Sequence, residues 1–207
     1  MTASKAAAMA APTVQAAQEP QVEKLEGGQR ALQTWALPIE EPFLQEFLTY
    51  IFENYWDQIV FGPLIQGAAY ELTCPCKPER IRLFDGYLTV TFGGPHFHLC
   101  IGENKGPPRD RTPEDLKRHR RPSKAQIFRR LDKDGAPLSW GFEMENGKGE
   151  PMISIFFASP FLSAGDRLNK EPMWERLAMW RDISKRYLGR ESEAFDESGK
   201  GYRGGHG

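Results

Sequence analysis

Two short pairs hold most of the metal-donor chemistry in this chain: Cys74-Pro75-Cys76 and His96-Phe97-His98. In extended backbone, side chains two positions apart share a face, so each pair can offer both members to one ion. The chain has only 4 His and 3 Cys. Mixed thiolate and imidazole donors suit Zn²⁺ or iron in a tetrahedral cage, and His96, His98, Cys74 and Cys76 are the primary expected ligands. The usual zinc-finger spacing, with two or more residues between cysteines, is absent. The alternative reading is plainer: the cysteines are small buried hydrophobes and the imidazoles are hydrogen-bonded on a polar sheet face. Pro75 then only keeps an edge strand out of the ladder.

Cys100, Glu103 and His119 form a reserve set. Cys100 has the same strand parity as His98, so the two could meet as a thiol and its base. His96-x-His98 followed by Glu103 resembles part of the first motif of the cupin family. That resemblance implies two His and one Glu holding a catalytic metal within a β-barrel, with open positions for substrate or oxygen. It covers residues 96 to 103. Val90 stands where the motif has its leading Gly, and no second motif with its own His follows, so membership is not assigned. His119 lies in Lys117-Arg118-His119-Arg120-Arg121, which reads as a solvated run.

The stretch 106–124 is rich in Pro and basic residues. Arginine forks bind carboxylate and phosphate in bidentate fashion. Arg118, Arg121 and Arg129 are therefore the expected contacts for a small anionic substrate, if this insertion returns over the polar face of the sheet. A solvated charge run is the competing reading. No phosphate-cradling loop, dinucleotide glycine fingerprint or G-x-S-x-G elbow occurs.

The elements that must position these groups follow from periodicity. Acidic residues and Pro42 suit a first helical turn near Glu40. Phe43, Leu44, Phe47, Leu48, Ile51, Phe52, Tyr55, Trp56 and Ile59 then fill one broad face, which predicts a helix ended by Gly62-Pro63. Residues 80–84 and 87–92 alternate on either side of Asp85-Gly86, a strong hairpin signal, and residues 96–101 extend the meander. Strands are expected again over 125–131, 138–144 and 152–158. Glu171-Pro172 opens a closing helix carrying Met173, Leu177, Trp180, Ile183 and Tyr187, with Gly189 as its left-handed cap. The expected fold is α+β, an antiparallel sheet of about six strands packed against an N-terminal and a C-terminal helix. The expected organisation is a disordered tail over 1–30, one domain over 31–190 with the insertion at 106–124, and a second disordered tail over 191–207.

The whole-chain charge of −1 argues against a general nucleic-acid binder. No run approaches the ~20 apolar residues that span a bilayer, and the Ala-rich start lacks the apolar core of a secretory signal. An odd, small number of cysteines fits reduced thiols and a cytoplasmic location. Together these features predict a transition-metal enzyme acting on a small anionic or carbonyl-bearing molecule. The alternative is a non-catalytic carrier or accessory protein for a metal, haem or a partner enzyme, with His98 or Cys100 as an axial haem ligand. The oligomeric state is not indicated by the sequence.

Overall fold

A computed structural model describes residues 19–24, 31–163 and 167–202. Its strands are β1 (Gln21–Lys24), β2 (Ala31–Ala36), β3 (Val60–Gly62), β4 (Leu64–Ile65), β5 (Ala68–Ala69), β6 (Leu72–Thr73), β7 (Arg80–Phe84), β8 (Tyr87–Thr91) and β9 (His96–Cys100). After the insertion come β10 (Pro122–Leu131), β11 (Pro137–Asn146), β12 (Pro151–Phe156), β13 (Leu162–Ser163) and β14 (Arg167–Leu168). The α-helices are α1 (Glu41–Asn54), α2 (Glu114–Arg120) and α3 (Ala178–Leu188).

The α+β class is as expected, but the strands divide among several sheets. The main sheet is antiparallel and has 7 strands in the order β1-β2-β10-β11-β12-β3-β6. The meander does not join it. Instead β7-β8-β9 stand as a separate 3-stranded antiparallel sheet. Helix α1 touches both sheets through aromatic rings: Phe47 meets Phe142 of β11 at 4.8 Å between centroids, and Phe52 meets Phe97 of β9 at 5.3 Å. Helix α3 adds Trp180 against Trp35 of β2 at 5.7 Å. Each such ring buries a large apolar area, and the tilted geometries favour edge-to-face attraction.

Local signals account for several boundaries. Pro42 lies in the first turn of α1, where its missing amide costs nothing. Asp85 (φ 47) and Gly86 (φ 78) adopt the left-handed backbone that a two-residue hairpin requires. Gly189 caps α3 at φ 63. Other expectations are corrected. The apolar stripe continues through Ile59, yet α1 ends at Asn54 and the chain enters β3 at Val60. The closing helix opens later than Pro172, with a 3₁₀ turn over Trp174–Leu177 before α3.

The expected tails divide. Residues 1–18, 25–30 and 203–207 lie outside the described residues. Within the stretches expected to be loose, Gln21–Lys24 pair with β2 and Ala194–Glu197 form a 3₁₀ turn. The second is tied down by a buried ion pair, since Arg129 Nη1 lies 2.5 Å from Asp196 Oδ1 and both side chains are almost fully enclosed. No helix among the described residues is long and apolar enough to cross a membrane.

Candidate functional site on the outer face of the small sheet

The alternation in β7, β8 and β9 gives the small sheet two unlike faces. Leu88, Val90 and Leu99 are buried in the core, with Ile81, Leu83 and Phe97 packed against it. The intervening residues form the outer face. Pairing register aligns Arg80 with Thr91 and His96 in one row, and Arg82 with Thr89 and His98 in the next. A third row holds Phe84, Tyr87 and Cys100. Directly paired residues of antiparallel strands share a face, so these rows are neighbours in space.

His96 and His98 are therefore brought together, with ring centroids 5.1 Å apart. His98 Nδ1 is 2.7 Å from the Thr89 hydroxyl. That bond orients the ring and leaves Nε2 as the nitrogen that can meet a ligand, the arrangement that protein partners impose on ligating histidines. Arg80, Arg82, Phe84 and Thr89 line a shallow depression of about 310 Å³. Phe84 is 70% exposed, and the Arg82 guanidinium lies 5.6 Å from its ring centroid. Among the described residues no carboxylate is ion-paired with Arg80 or Arg82.

The other expected ligands lie elsewhere. Cys74 is part of the buried core and Cys76 packs against it, whereas both imidazoles face away from that core. Burial, with Cys76 and Asp57 nearby, pushes the Cys74 thiol up to about 12. A thiol held neutral is a poor nucleophile. Cys100 keeps the parity of His98 but is buried, its thiol donating to the Gly102 carbonyl at 3.5 Å. Burial raises its pKa too, against the lowering effect of that bond and of Arg120. Glu103 pairs with Lys117 at 3.4 Å rather than with an imidazole. His119 Nε2 is 2.8 Å from Glu150 in the β11–β12 turn. Among the described residues, no group of three or more His, Cys, Asp or Glu is placed to hold a metal ion. Neither the four-ligand cage nor the His₂Glu arrangement forms, because core packing draws the thiols inward while surface ion pairs occupy Glu103 and His119.

The basic insertion covers only one end of the outer face. Its entry is clamped by Asp85, whose carboxylate accepts from Lys105 N at 2.8 Å, Gly106 N at 3.0 Å and Asn104 Nδ2 at 2.8 Å. Those donors, the Lys105 amide first, hold the Asp85 carboxyl below its usual range. A side chain at Gly86 would strike the Glu103 backbone 2.6 Å away, so the turn and the insertion need a glycine there. Arg120 reaches back to Asn104 Oδ1 at 2.6 Å. Arg118 and Arg121 are exposed at and just beyond the end of α2. Arg129 does not serve as a substrate contact. It is 3% exposed, bonded to Gln33 and Asp196 and stacked over Trp35, Trp180 and Phe195.

Sequence reading missed Arg80, Arg82, Phe84 and Thr89 as functional candidates. Their signal was present in the alternation Arg80-Ile81-Arg82-Leu83-Phe84, which puts two cations and a ring on one face.

A family model described as a family of unknown function (DUF7676) matches residues 20–189. No curated protein matches the chain. Among solved structures, the chain is similar to the crystal structure of ChuX, with 11% identity and a TM-score of 0.46, over 73% of this chain and 74% of that one. A likeness at that level carries no functional argument.

Proposed function

The chain belongs to that family of unknown function, and we propose that it is a binding protein rather than an enzyme: a carrier or accessory protein whose ligand face is the outer side of β7–β9. The observation that carries this reading is the assembly of Arg80, Arg82, Thr89, His96 and His98 on one open, in-register surface. Active sites gain much of their power from enclosing the reacting groups and excluding water. This face is open, and burial raises the pKa of the Cys74 and Cys100 thiols.

Two imidazoles are too few donors for a resident, enclosed ion. They do fit a metal that arrives with ligands of its own, such as haem iron or a partly chelated cation, which then needs one nitrogen from the protein. His98 is the better placed of the two, because Thr89 fixes its ring. The test is an equilibrium titration of the full chain with hemin and, separately, with Zn²⁺. One or both should bind in the micromolar range, and His96→Ala/His98→Ala should weaken that binding at least about tenfold while the circular dichroism spectrum stays the same. Binding that is equally strong in the double variant, or no binding of either probe, overturns the reading.

A further inference from the structure

We infer that Arg80, Arg82 and Phe84 form a seat for a ring-bearing oxyanion, an aryl phosphate or aryl carboxylate, beside the histidines. The inference rests on the outer face being the binding face, and it adds the class of ligand. Arg80 and Arg82 are two apart on β7, so their side chains rise from the same face about 6.6 Å apart along the strand. Ion pairs among the described residues leave both unclaimed. An isolated guanidinium on a surface is unremarkable, but Arg82 is stacked near the Phe84 ring at 5.6 Å. Stacking of this kind limits the motion of the fork and leaves its N–H edges to meet an acceptor, so less entropy is lost when two parallel bonds form.

Phe84 supplies the second half of the argument. A phenyl ring 70% exposed at a sheet edge still offers most of its surface as a stacking platform beside the Arg82 guanidinium. A flat ligand ring laid against it would lose water from both faces in contact. The depression lined by Arg80, Arg82, Phe84 and Thr89 measures about 310 Å³, at the lower end of volumes that hold small organic ligands. It has room for a fused ring and one anionic group. The Thr89 hydroxyl, already bonded to His98, links this seat to the imidazole row.

Calorimetric titration separates the parts of the seat. The probes are 1-naphthyl phosphate, 1-naphthoate, inorganic phosphate and neutral 1-naphthol. Either naphthyl anion should bind at least about tenfold more tightly than both inorganic phosphate and 1-naphthol, because only it satisfies ring and fork together. Arg82→Gln and Arg80→Gln should each weaken the naphthyl anion about tenfold. Phe84→Ala should reduce its affinity to that of inorganic phosphate. Naphthyl anions that bind no better than the two partial probes, or unchanged affinity in all three variants, overturn the inference. Hemin and Zn²⁺ titrations of the same preparations keep the readouts apart, since His96→Ala/His98→Ala should weaken metal uptake at least about tenfold. Failure of the seat with metal uptake intact overturns this inference alone.

Discussion

Arg129 in the main sheet and Arg82 in the small sheet are the same residue in similar local settings, yet their fates are opposite. Both sit within a strand, and both lie over an aromatic ring. Arg129 is enclosed, so its charge has lost water and must be satisfied within the protein. Asp196 at 2.5 Å, Gln33 at 2.8 Å and three aromatic rings do this. Arg82 is exposed to water, and its ring contact is with Phe84. A buried guanidinium commits its donors to the fold because leaving them unpaired costs several kcal/mol. An exposed one can stay uncommitted, and a ligand can then use it. Availability, set by burial, separates an arginine that holds a structure together from one that can recognise something.

The sharpest way to break this contrast is at Asp196. Asp196→Ala leaves the buried Arg129 charge with only the half-exposed Glu193 carboxylate, at 3.7 Å, and should cost about 3 kcal/mol in urea-induced unfolding. A loss below about 1 kcal/mol would mean that Arg129 is solvated after all, and the contrast with Arg82 would fail. Probe binding on the outer face should persist at urea concentrations where the variant stays folded.

Alkali tests the enclosure of the core in a second way. The folded state holds the Cys74 thiol up to about 12, above its ordinary value of 9.0. A raised pKa favours the neutral form in the fold, so this contribution is complete below the ordinary thiol value. It is lost as pH climbs from there toward the folded value. Unfolding free energy should fall over that window, and Cys74→Ala should flatten the fall. An identical alkaline profile for the variant would show that the thiol is accessible. On the outer face the expected stability effects are the smallest: Arg82→Gln and Phe84→Ala should each stay within about 0.5 kcal/mol of the parent. A larger loss from either would make this face part of the scaffold and remove the reason to read it as a binding surface.

Local signals were readable wherever the physics is local. The Asp85-Gly86 hairpin, Pro42 in the first turn of α1 and the Gly189 cap each depend on a few adjacent residues. The sharing of a face by His96 and His98 belongs here as well, since strand parity alone dictates it. Other features depend on distant partners. β2 exists because Trp35 and Ile127 pair across the main sheet, and nothing within Ala31–Ala36 announces that. The stripe through Tyr55, Trp56 and Ile59 looks helical, yet those residues leave α1. Tyr55 donates to Asp182 at 2.7 Å, and Ile59 joins the core as the chain turns into β3.

The same division runs through the site. Which side chains can share a face, where the turns fall and that the chain builds an α+β fold were written into residue order, because backbone sterics and period-two or 3.6-residue repeats act over a few positions. Which face meets water was decided only when α1 packed against one side of the small sheet. That event buried Cys74 with the core and left Arg80, Arg82, Phe84 and the two histidines outside. On the main sheet, the chain near Asp196 closes over Arg129. Burial is a property of the assembled layers, and burial determines whether a charge or a thiol is structural or free to bind.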